Sequence, residues 1–129
     1  MQADSNLYGM SKDFEAAVKK CVDIEESFSL FSEGMRNDGA LSSREKELIS
    51  LALAVVKGCV WCVRRHTTRA LDKGASYEQV IEAAGMGAVM DGGVVVARIR
   101  QLVLLSLEEY EKGYRPERVG AEWQLVKKQ

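Results

Sequence analysis

Apolar positions in this chain recur at intervals of three and four residues and scarcely ever alternate, a pattern that predicts helices. Phe14, Val18 and Cys21 or Val22 line one face of a first helix running from after Ser11 to about Val22. Phe28, Leu30 and Phe31 are the apolar residues of a second, from roughly Ile24 to Met35, which the turn residues Asn37-Asp38-Gly39 end. Cys21, at helical spacing among Val18 and Val22, is expected in the core and without a redox role.

A third helix opens at Ser42-x-x-Glu45, a capping box in which the serine oxygen takes an orphan amide and the glutamate reaches back, and it runs to Lys57. Its latter half, LISLALAVV, is apolar all round, which a lone surface helix would not tolerate. Gly58 breaks the rod. The next helix carries Cys59 on its first turn and ends at Gly74, a residue suited to a left-handed cap. Ser76-x-x-Gln79 caps a fifth helix reaching about Met90, Asp91-Gly92-Gly93 interrupts it, and Val94 to about Lys112 forms a sixth, again apolar on more than one face. Gly113 to Gln129 is polar apart from Val119, Trp123, Leu125 and Val126, and reads as an arm docking through Trp123. The expectation is an all-α fold of about six helices in one domain, residues 1–129. Only one of the two strongly apolar helices can be central in so small a domain, so the other should leave apolar surface for a homo-oligomer to cover.

Charge narrows the partners. With 18 basic and 19 acidic residues and no long run of either sign, the net charge is −1, which points to no nucleic acid and no anionic membrane as partner. The amino end, MQADSNLYGM, lacks the basic and apolar regions of a secretory leader, and no apolar run reaches the roughly 18 residues of a membrane span, so a cytoplasmic location is expected. Three cysteines do not make a secreted disulfide framework, and in a reducing compartment a C-x-x-C is redox-active or metal-binding more often than structural.

The candidate chemistry lies between Ser42 and Gly74, which hold both cysteines of the only C-x-x-C and the only histidine. At about 100° per helical residue, Cys62 lies roughly 60° and His66 roughly 20° from Cys59, so the three share one helical stripe. A thiol becomes a better nucleophile at a helix amino terminus, in a C-x-x-C and beside an imidazolium, and this stretch offers all three. Glu47 precedes Gly58 by 11 residues and His66 follows it by eight. If the helices on either side of Gly58 fold back antiparallel, the two side chains can hydrogen-bond, fixing the imidazole tautomer and supporting His66 as a base. Glu47 could equally be a solvated first-turn glutamate, and the cysteines small buried hydrophobes. A zinc site of two sulfurs, one nitrogen and one oxygen is a rival reading, and a non-catalytic oligomeric module a second.

The string E-x11-C-x2-C-x3-H at Glu47, Cys59, Cys62 and His66, with the preceding LSSREKELISLA and the later Asp91-Gly92-Gly93, resembles the carboxymuconolactone decarboxylase superfamily, in its alkylhydroperoxidase D-like branch. The resemblance covers roughly Phe28 to Leu107. It implies an all-α fold around a helical hairpin, assembled as a homohexamer or homotrimer, and a thiol peroxidase or disulfide reductase needing no metal or bound cofactor. The partners implied are a peroxide or small disulfide substrate and a dithiol electron donor. Cys62 would be the peroxidatic thiolate, Cys59 the resolving cysteine, His66 the proton-transfer group and Glu47 its partner. Spacing alone leaves the order of the sulfurs open. The superfamily's decarboxylases lack this cysteine pair, which argues against lactone decarboxylation.

Overall fold

In the computed structural model of the chain, which describes residues 11–129, the Ser11 hydroxyl accepts the Phe14 amide and starts α1, Lys12–Arg36. The decapeptide 1–10, read above as lacking a leader, lies outside the described residues. Two helices were expected where α1 runs unbroken for 25 residues. No glycine or proline stands between Lys12 and Glu33, so nothing in the local sequence stops the helix at Val22. Cys21 is exposed, contrary to the core position expected of it, and α1 has no buried side chain. The described residues divide into two compact units, 11–37 and 38–129.

The second unit holds the site. Its helices are α2, Ser43–Lys57; α3, Val60–Asp72; α4, Tyr77–Asp91; α5, Gly93–Arg98; and α6, Leu104–Glu111. Both expected capping boxes form, Ser42 with Glu45 and Ser76 with Gln79. Ile99–Val103, between α5 and α6, is a π segment, so residues 93–111 make one continuous rod with a widened turn in its middle.

The helix α2 packs most extensively on α3 and α4. Leu51, Ala54 and Val55 from α2, Val63, Ala70 and Leu71 from α3, and Val80 and Ala84 from α4 meet Val95, Val103 and Leu107 in one core. Close approach of α4 to α2 requires Gly87, where a Cβ would stand 3.1 Å from both the Ala52 carbonyl oxygen and Val56 Cγ2. The outer faces stay apolar and open, with Ile49 and Leu53 of α2, Val94 and Val96 of α5, and Leu104 and Leu105 of α6 exposed.

The carboxyl-terminal stretch, expected as an arm of an all-α fold, is a β-hairpin. Strand β1, Tyr114–Val119, pairs antiparallel with β2, Glu122–Lys127, in register Tyr114 with Lys127. Its two-residue loop places Gly120 at φ 64°, the positive φ that tight hairpin turns need. Pro116 is accommodated because a two-stranded ribbon has only edges. Docking through Trp123 is as expected, since its ring stacks on Trp61 at 6.2 Å between centroids.

Candidate active site

Gly58 ends α2 with φ 71°, and the amides of Gly58 and Cys59 return to the carbonyls of Val55 and Ala54. This pairing closes a Schellman turn, which reverses the chain at once into α3. Over the turn lies Arg98, whose Nη1 donates to the carbonyl oxygens of both Val55 and Val56. A Cβ on Gly58 would meet its guanidinium carbon at 3.2 Å. The last turn of α2 is thereby capped by a cation from α5, which suits the negative end of a helix dipole.

Cys59 stands one residue outside α3, as its N-cap, rather than on the first turn where the spacing put it. Its Sγ accepts the Cys62 amide at 3.3 Å, so the cysteine takes the place of the serine or aspartate usual there. The helical stripe therefore holds Cys62 and His66, and Cys59 folds back over it from the cap. Cys59 and Cys62 are joined in a disulfide, with Cα atoms 5.2 Å apart, and both residues are half-buried.

The antiparallel return of α3 brings His66 to Glu47. His66 Nδ1 lies 2.7 Å from Glu47 Oε2, with the carboxylate 1% exposed and the imidazole 18%. With Glu47 ionised its oxygen can only accept, an arrangement in which Nδ1 carries the proton and Nε2 is the ring's acceptor. Arg69 Nη1 stands 4.0 Å from Glu47 Oε1 and helps to offset the buried charge. The reading of Glu47 as a solvated first-turn residue does not hold, and the structure unites the two halves of the pair.

Sequence reasoning overlooked several residues around this pair. Arg69 follows His66 by three positions, a spacing that puts it on the same face, so helical periodicity could have found it. Arg64 makes a two-pronged bond to Glu109 of α6 at 2.9 and 2.8 Å and lies over the Trp61 ring, 4.6 Å from its centroid. That bond locks α3 against α6 across 45 positions, a separation no local pattern reveals. Among the described residues, no group of three or more His, Cys, Asp or Glu side chains is placed to hold a metal ion. No helix there is long and apolar enough to cross a membrane.

A family model, the carboxymuconolactone decarboxylase family, matches residues 23–103. The chain belongs to this family. An uncharacterized protein of Cupriavidus necator is 48% identical over 89 residues, spanning 69% of this chain and 79% of its own. Uncharacterized protein 4 in the cox locus of Paracoccus denitrificans is 36% identical over 88 residues, spanning 68% of this chain and 78% of its own. Among solved structures, a family member from Legionella pneumophila superposes with a TM-score of 0.66 at 29% identity, covering 84% of this chain and all of the other. Another, from Thermotoga maritima, superposes at 0.60 with 33% identity, covering 70% of this chain and 95% of the other.

Proposed function

We propose that this family member is a thiol-dependent peroxidase or disulfide reductase in which Cys59 and Cys62 cycle between dithiol and disulfide. The observation that carries this reading is the bonded pair His66–Glu47 one turn beyond a C-x-x-C at a helix amino terminus. In the reduced form, His66 Nε2 takes the proton of the Cys62 thiol. The thiolate attacks the peroxide O–O bond, Cys62 becomes a sulfenic acid, and the alkoxide leaves as the alcohol after taking a proton from the imidazolium. The Cys59 thiol then condenses with the sulfenic acid, forming the S–S bond and releasing water. A dithiol donor restores both thiols by exchange and leaves as its own disulfide. When the donor attacks Cys62 Sγ, Cys59 leaves as a thiolate on the α3 amino terminus, where the Cys62 amide already points at its sulfur.

One further finding supports the reading: an antioxidative role has been suggested for the Thermotoga maritima protein. We propose a reducing, cytoplasmic setting and a homo-oligomer, a hexamer or trimer. The test is peroxide consumption with a panel of dithiol donors. Wild type should turn over and Cys62→Ser should not, while Cys59→Ser should trap a sulfenic acid that never closes to the internal disulfide. Turnover surviving in Cys62→Ser, with a sulfenic acid on Cys59, would exchange the two roles. Absence of any thiol oxidation by stoichiometric peroxide would overturn the reading in favour of a non-catalytic module.

A further inference from the structure

Where β1 and β2 fold against α3 they enclose an open cleft of about 590 Å³, within the size range of small-ligand sites. We propose that this cleft binds the anionic end of a small organic molecule bearing a carboxylate or phosphate group. Five cations line it, Arg65 and Arg69 from α3 and Arg115, Arg118 and Lys128 from the hairpin side, against two carboxylates, Asp72 and Glu117. The lining thus carries a charge of about +3 in a chain whose net charge is −1, a local field that concentrates anions.

The arginines are also prepared to bind. Arg115 Nη1 donates to the carbonyls of Tyr110 and Tyr114 at 2.9 and 2.8 Å, and its guanidinium lies 3.6 Å from the Tyr110 ring centroid. A guanidinium carries five N–H donors, and those not held by these carbonyls or by Tyr110 can meet a ligand from a side chain already ordered. Arg118 is exposed and makes no ion pair among the described residues. Glu117 pairs with Lys128, which cancels one charge of each sign within the cleft, and Asp72 accepts the Tyr110 hydroxyl at 2.7 Å, so the excess positive charge lies on the arginines. Trp123 contributes an aromatic wall, which suits the carbon skeleton of an organic anion better than a bare inorganic one.

The cleft shares α3 with the cysteine pair. At about 1.5 Å rise per residue, Arg65 stands roughly 4.5 Å and Arg69 roughly 10 Å along α3 from Cys62, and both lie within about 60° of its face. A molecule anchored by its anion at Arg115 and Arg118 would lie against this face of α3. Assigning this cleft to the substrate rests on the redox reading above, whereas the existence of an anion site does not.

The experiment separates the two. The full chain with both Cys59→Ser and Cys62→Ser, in which no thiol of the pair can react, is titrated by calorimetry with succinate, pyrophosphate and neutral succinamide. Saturable binding of succinate supports a carboxylate site and of pyrophosphate a phosphate site, with succinamide not binding in either case. Arg118→Gln should weaken binding about threefold to tenfold, and Arg100→Gln, an exposed charge outside the cleft, should not. If neither anion binds saturably, or if Arg118→Gln and Arg100→Gln have equal effects, the site is overturned. With the cysteines intact, a hydroperoxide carrying a carboxylate should show a lower KM than its methyl ester at similar kcat. Equal KM values would overturn the substrate assignment and leave the anion site standing.

Discussion

His66 Nδ1 and Glu47 Oε2 lie 2.7 Å apart although 19 positions separate them, because Gly58 reverses the chain between them. The relation is one of depth. Glu47 sits on the second turn of α2, fully buried, and can meet only a side chain at the same level of α3. A carboxylate buried to this extent is costly unless bonded, so its removal should be felt in both folding and turnover.

Replacing His66 by alanine should slow peroxide turnover by about 10² to 10⁴, the usual contribution of a positioned acid–base group. Glu47→Gln keeps the bond geometry but removes the charge that favours imidazolium, and should lower turnover by less. Added imidazole distinguishes a relay from a structural pair, since it should restore part of the turnover lost in His66→Ala. Unchanged turnover in that variant at pH 7 would leave the histidine structural.

The grouping of the four candidate residues was legible from spacing because each lies on or beside a helix whose ends are marked locally. Ser42 and Glu45 fix where α2 starts, Gly58 where it stops and Ser76 where α4 begins, and the alignment of Glu47 with His66 depends on little else. What was not legible depends on distant contacts or on weak local signals. Whether Val22 lay at a helix end could not be read without a breaker, and Cys21 shares the spacing of core residues while remaining exposed. The hairpin hid because Tyr114–Val119 alternates too few apolar residues, although Val119-Gly120-Ala121-Glu122 carried a turn signal. Arg98 is invisible to any local pattern, as its partners lie 42 and 43 positions earlier.

Arg98 offers a direct stability test. Its side chain holds two carbonyl oxygens at the end of α2, and charge-assisted bonds of this kind contribute about 1.5–3 kcal/mol each at most, less where water competes. Arg98→Ala should lower the denaturation midpoint by an amount of that order, with Arg98→Lys recovering part. Gly58→Ala should add roughly 1–2 kcal/mol of left-handed backbone strain and also press on the guanidinium. Combining Gly58→Ala with Arg98→Ala should therefore cost less than the sum of the two, as urea denaturation of all four proteins would read.

Alkaline pH should loosen the contact between α3 and α6. Burial, and then the hydrogen bond to Asp72, push the Tyr110 phenol above its ordinary value of 10.0. Its neutral form is the one the fold favours, so its contribution to stability is whole below pH 10 and is lost as pH rises through the raised value. Phenolate absorbance should show a component titrating above pH 10 that disappears in Tyr110→Phe. The thermal midpoint of that variant should fall less steeply than wild type over the same interval. A wild-type titration unchanged by the substitution would count against the Asp72 contact.

Oligomerisation rests on the faces the fold leaves open. Leu51 and Val55 of α2 are fully buried while Ile49 and Leu53 beside them are 48% and 59% exposed, and along the terminal rod Val95 and Val103 are buried while Val94 and Val96 are 61% and 55% exposed. On both elements these apolar residues stand open to solvent between charged ones, Arg44, Glu45 and Lys57 on α2 and Arg100 on the rod. At the end of α4, Val89 and Met90 are 73% and 84% exposed. Contiguous apolar surface beyond roughly 300–600 Å² is rare on monomers, and symmetric self-association is the commonest way to cover it. Light scattering at micromolar concentration should give a mass several times 14.3 kDa. Introducing charge with Val94→Glu and Val96→Glu should reduce that mass while helical circular dichroism is retained, because neither side chain contributes to the core. A wild-type chain that stays monomeric under these conditions would sink the assembly and leave those valines for some other apolar partner.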